Sequence, residues 1–102
     1  MGFFNWQQVA LQSFRPGIRS YAVLGEKAIL AVMEIAPGFE DPGHAHPGEQ
    51  CGLVLEGEVE MEVAGEGKRL GAGDGYFIPA QAHHRFRVGL APVKVLDVTV
   101  KA

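Results

Sequence analysis

Glycine and proline interrupt this chain throughout: fourteen glycines and six prolines among 102 residues fall between short runs in which apolar and polar residues alternate. That spacing predicts an all-β sandwich or barrel. The clearest run is EVEMEV at residues 58–63, where Val59, Met61 and Val63 alternate with three glutamates, one face for a core and one for water. Ahead of it, IRSYAVL and AILAVMEIA read as a hairpin turning at residues 25–27. Behind it come KRL, YFIP, HRFRV and VKVLDVTV, separated by turns at residues 65–67, in AGDG and at Leu90-Ala91-Pro92. Only the first dozen residues, with Trp6, Val9 and Ala10 at helical spacing, are expected to coil.

The length allows one domain, residues 1–102. Twelve acidic against nine basic side chains leave a net charge of −3 and no basic field, so neither nucleic acid nor anionic membrane is expected as a partner. The apolar stretch at residues 28–33 is too short to span a bilayer. MGFFNWQQV lacks the cationic and apolar regions of a secretory leader, and Trp6 stands where myristoylation needs Ser or Thr, so a cytoplasmic protein is expected. A lone cysteine, Cys51, fits a reducing compartment and reads as a small hydrophobe. CGLVL and AILAVM are apolar on both faces. A small barrel filled on its inside then offers its outer apolar face to a partner chain, and a homodimer is expected.

His44 and His46 are one residue apart, so in an extended segment both imidazoles project to one side, about 7 Å apart along the backbone. Gln50 continues that parity, while Glu49 and Cys51 fall on the other side. In HRFRV, His84 shares parity with Phe86 and Val88, which marks His84 rather than His83 as the inward histidine. Glu58, Glu60 and Glu62 read as a solvated strand face, with Arg85 and Arg87 as cross-strand partners for such acids. GAGDG is a turn, since no helix with a Lys-Ser or Lys-Thr pair follows it.

A pattern spanning residues 38 to 88 joins these histidines. Gly38, His44, His46, Gln50 and Gly57 are separated by five, one, three and six residues, and Gly73, Pro79 and His84 by five and four. This resembles the two signature motifs of the cupin superfamily. The resemblance implies a double-stranded β-helix, or jelly-roll barrel, in which His44, His46 and His84 ligate a divalent metal. The family's usual glutamate ligand is replaced by Gln50, with Glu49 as the alternative fourth ligand; its glycine after the proline is Gln81, and its terminal asparagine is Val88.

Three imidazoles and an amide oxygen are all neutral, so a bound dication would keep its full formal charge and favour anions. Zn, Ni, Fe, Mn and Cu suit such ligands about equally. The layout, with its PGHAHPGEQ box and late LDV strand, is similar to bacterial cupins that linearise 4,5-unsaturated uronates. The expected function is therefore that of a metal-dependent, isomerase- or lyase-type enzyme acting on a small anionic, sugar-like molecule. A non-haem iron dioxygenase and a non-catalytic sensing module are the alternatives. Asp97, a lone carboxylate sharing parity with Val93, Val95 and Thr99, is the candidate catalytic acid or base.

Overall fold

The computed structural model describes residues 2–101, with residues 12–14 described by their backbone alone. Among the described residues, one turn of 3-10 helix, Trp6–Gln8, precedes ten strands: β1 (Leu11–Arg15), β2 (Ile18–Leu24), β3 (Ala28–Ile35), β4 (Glu40–His44), β5 (Gln50–Glu56), β6 (Val59–Val63), β7 (Glu66–Leu70), β8 (Gly75–Ile78), β9 (His84–Val88) and β10 (Val93–Val100). The helical expectation for the amino terminus comes down to that single turn. Asn5 caps it by accepting the Gln7 N–H, and Trp6 turns its edge onto the Tyr21 ring of β2, 6.2 Å between centroids. Among the described residues, no helix is long and apolar enough to cross a membrane.

The strands form two antiparallel sheets, in the orders β1-β2-β3-β10-β5-β8 and β4-β9-β6-β7. Consecutive strands β4 and β5 lie in different sheets, as do β7 and β8, which gives the expected jelly-roll wrapping. Ile18, Ile35, Val54, Val59, Leu70, Val88, Val93 and Val95 form one buried cluster where the inner faces of the two sheets meet. Farther along the same inward faces, the apolar residues give way to polar ones: Val93 and Val95 are followed on β10 by Asp97, and Val88 and Phe86 are preceded on β9 by His84. One end of the barrel is thus a hydrophobic floor and the other a polar chamber. Gln81, where the cupin motif has glycine, still takes the left-handed backbone conformation with φ of 66°. An L-residue pays about 1–2 kcal/mol for that geometry.

The two outer faces differ in character. On the four-stranded sheet the register lines up Glu40, Arg87, Glu60 and Arg69 across the strands; Arg87–Glu60 and Arg85–Glu62 pair as the alternation predicts, and Arg69 also pairs with Glu60. On the six-stranded sheet two apolar rows cross the strands, Phe77-Cys51-Val98-Leu30-Val23 and, one step along, Leu53-Leu96-Val32-Tyr21. Phe77 remains 57% exposed there.

Candidate metal centre

His44 ends β4 and pairs with His84 at the start of β9, so both rings rise from adjacent strands of one sheet. His46 lies beyond the strand, in the crossing from β4 to β5, and its position is set by two bonds: its carbonyl accepts the Gln81 N–H, and its Nδ1 donates to the Gly48 carbonyl at 2.8 Å. The three ring centroids are 4.3 to 5.6 Å apart. One nitrogen from each ring lies within 4.8 Å of the others.

The hydrogen bonds select the tautomers. Each Nδ1 faces an acceptor: the Asp41 carboxylate at 3.3 Å for His44, the Gly48 carbonyl for His46, and the Ala82 carbonyl at 3.0 Å for His84. In the neutral ring each Nδ1 therefore carries the proton and each Nε2 presents a lone pair, the arrangement second-shell acceptors impose on metal-binding histidines. His84 is 2% exposed, and its Nε2 has no hydrogen-bond partner among the described residues. Burial holds its imidazole below the ordinary pKa, and His44 and His46 add to that effect against the bond to Ala82, so the ring is neutral at pH 7.

Gln50 opens β5 in the other sheet, and its Oε1 stands 2.9 Å from His46 Nε2. Its amide cannot turn over, because Nε2 donates to Asp97 Oδ2 at 2.7 Å. Two electron-pair donors, an imidazole nitrogen and an amide oxygen, thus face one another with no proton between them. A buried lone pair without a partner and a second pair aimed at an oxygen are what a cation would satisfy, and the set of three imidazoles and one amide oxygen fits a divalent transition metal. Glu49, the alternative donor, is exposed, and its backbone carbonyl bonds to Val100. His83 is also exposed, and Cys51 lies on the outer face beside Phe77, so neither joins the group.

Asp97 points inward, as its parity predicts, and is 4% exposed. Sequence alone suggested a carboxylate open to the substrate; the structure places it one bond behind the chamber. Gln50 and Tyr76 donate to Oδ2 and Thr99 donates to Oδ1. Gly52 makes this possible, for it lies between Asp97 and Tyr76 in the register, and a Cβ there would meet the Tyr76 hydroxyl at 2.3 Å. Burial and the neighbouring Asp97 charge push the Tyr76 pKa up, so the hydroxyl stays protonated.

A cavity of about 480 Å³ opens beside the histidines, with Arg15, His44, Gln50, Tyr76 and His84 in its wall above Met33, Met61 and Phe86. That is a normal size for a small-molecule site. A larger groove of about 630 Å³ runs over the ion pairs outside the four-stranded sheet, but no histidine lines it. Arg15, Asp41 and Tyr76 carry no signal in the motif spacing. For Tyr76, parity with Ile78 in YFIP is the one clue that it turns inward.

Replacing Gln50 by Glu is expected to place a carboxylate against Asp97, which lowers the melting temperature of the metal-free protein. Added zinc then raises that temperature by more than it does in the wild type, because a charged donor replaces a neutral one, while anionic ligands bind more weakly. A smaller zinc-induced rise than in the wild type would remove Gln50 from the ligand set.

No curated protein sequence matches the chain. Among solved structures, an RmlC-like cupin from Shewanella frigidimarina is similar, with a TM-score of 0.89 and 24% identity over 100% of this chain and 92% of that one. KdgF from Halomonas sp. gives a TM-score of 0.87 and 25% identity over 100% and 94%. The cupin domain of Schizosaccharomyces pombe Cnp3 gives a TM-score of 0.82 and 16% identity over 99% and 74%. The cupin domain family model matches residues 31–99, a span that holds all three histidines, Gln50 and Asp97, and the chain belongs to that family.

Proposed function

We propose that this chain is a metal-dependent isomerase that opens the ring of a small, sugar-like 4,5-unsaturated uronate. The observation that carries the reading is the donor set: three imidazole nitrogens and one amide oxygen, with no carboxylate among them, of which His44, His84 and Gln50 line a cavity sized for a small molecule. A divalent ion held by His44, His46, His84 and Gln50 would supply a Lewis acid of undiminished charge, stabilising negative charge as it develops on a substrate oxygen.

The chain's own residues move the proton. Ring opening removes the proton of the anomeric hydroxyl, forms the C1–O1 double bond and breaks the bond from C1 to the ring oxygen, leaving an enolate over that oxygen, C5 and C4. A proton delivered to C4 then completes the open-chain ketone. One proton leaves an oxygen and one reaches a carbon, so no oxidant, reductant or nucleotide is required. Tyr76 lines the cavity and donates its hydroxyl proton to Asp97. Its oxygen takes the substrate proton as its own passes to Asp97, and the return to C4 reverses the relay. Asp97 acts through Tyr76.

Metal-loaded protein given 4,5-unsaturated galacturonate is expected to abolish the ultraviolet absorbance of the conjugated double bond and, in heavy water, to place deuterium at C4. Unchanged absorbance with Zn²⁺, Ni²⁺, Mn²⁺ and Fe²⁺ would sink the reading. Oxygen uptake with Fe²⁺ would mark the dioxygenase instead.

A second copy of this chain is the partner we infer for the outer face of the six-stranded sheet. Its apolar rows end at a charged row, Glu56-Lys94-Glu34-Arg19, whose alternating signs complement those of a copy related by a two-fold axis. Sedimentation at micromolar concentration is expected to give about twice 11.0 kDa, and Phe77→Glu to give a monomer. A monomeric wild type would remove the inference.

A further inference from the structure

Arg15 is the cationic side chain in the cavity wall, and several features position it. Arg15 and Ile18 pair across the turn Pro16-Gly17, with Gly17 at φ of 88°, which suits a type II turn with proline first and glycine second. A Cβ on Gly17 would lie 2.7 Å from the Phe39 ring, so that ring packs directly on the turn. The Arg15 guanidinium lies over the same ring, 5.2 Å from its centroid. Its Nη2 donates to Asp41 Oδ2 at 2.6 Å.

Asp41 belongs to β4 in the other sheet, so Arg15 reaches across the opening between the sheets. The same buried carboxylate accepts the Gly43 N–H and the His44 Nδ1–H through Oδ1. The guanidinium is thus one carboxylate and one imidazole away from the converging ligand nitrogens. Here the acid is buried, the arginine side chain stays 44% exposed at the cavity, and among the described residues Asp41 is the hydrogen-bond acceptor it has. A guanidinium that is pre-oriented by one anion and still presents N–H groups to a cavity is suited to bind a second carboxylate in a planar, two-point contact.

We propose that Arg15 is the anchor for the substrate's carboxylate, leaving the anomeric end of the ring toward Tyr76, Gln50 and the histidines. This rests on reading the site as one for a uronate. It adds which residue distinguishes the acid from the neutral sugar, and it assigns the β1–β2 turn to specificity rather than to folding alone.

The test is calorimetric titration of zinc-loaded wild type, Arg15→Gln and Arg15→Lys with D-galacturonate and, separately, D-galactose. The wild type is expected to prefer galacturonate. Arg15→Gln should lose about tenfold to a hundredfold in galacturonate affinity, the scale for a charge-assisted pair, with galactose binding and zinc content unchanged. Arg15→Lys, which keeps the charge and can still pair with Asp41 but lacks the fork, should fall between. If Arg15→Gln keeps the full preference, or if both variants lose zinc, Arg15 is a structural residue and the inference fails while the uronate reading stands. If the wild type itself binds galacturonate no better than galactose, both fall.

Discussion

A protein with His44 replaced by alanine is expected to lose stoichiometric metal binding and keep its fold. His44 is partly exposed at the end of β4, while the buried apolar cluster lies toward the opposite end of the barrel, so removing the ring opens no hole in the core. Losing an outer-shell partner of a metal site typically costs 10–100-fold in affinity, and loss of a ligand itself should cost at least about a hundredfold. His84→Ala should lose metal equally but also melt at a lower temperature, since its ring is buried. Metal analysis of the purified variants and titration with zinc read the effect. Full occupancy in both variants would mean that the histidines do not hold an ion. Glu49→Gln serves as the control, because Glu49 is exposed and should leave occupancy unchanged.

Replacing Asp97 by asparagine is expected to cut turnover of the unsaturated uronate by about a hundredfold or more, the usual scale for losing a general acid or base. The geometry makes this substitution unusually clean. With its oxygen in the place of Oδ2, asparagine still accepts from Gln50 and Tyr76, and its amide group in the place of Oδ1 meets the Thr99 hydroxyl, which can rotate to accept. Gln50 therefore keeps its orientation, and zinc content and melting temperature should stay near the wild type. What is lost is the capacity to receive the Tyr76 proton, so kcat should fall with KM little changed, and the rate of deuterium entry at C4 should fall with it. Tyr76→Phe should show the same split. A fall in zinc content that matches the fall in turnover would make Asp97 a residue that merely orients Gln50.

Strand positions and inward faces were legible in the chain because alternation with period two depends only on local geometry. Val59, Met61 and Val63 turn inward, and Val93, Val95 and Asp97 share one face, as the pattern predicts. His84 separates from His83 for the same reason. The parity that links His44 to Gln50 has a different standing. The strand ends at His44, residues 45–49 cross from one sheet to the other, and Gln50 starts a new strand, so the count of two does not run through. His46 and Gln50 meet the other histidines because the Gly48 carbonyl, the Gln81 amide and the Asp97 carboxylate hold them there.

The chain by itself determined an all-β fold, the inward histidine of HRFRV and the cupin motif spacing. Those signals lie in residue type and short-range periodicity. Only the tertiary structure decided that Gln50 rather than Glu49 faces the histidines, that Asp97 sits behind Tyr76 across a bare Gly52, and that Arg15 and Asp41 meet across two sheets. Tyr76 and Asp97 are 21 residues apart along the chain, Arg15 and Asp41 are 26 apart, and Gln50 is turned toward the histidines by Asp97, 47 residues away. No local period encodes such a distance, because it is set by how the two sheets close on one another.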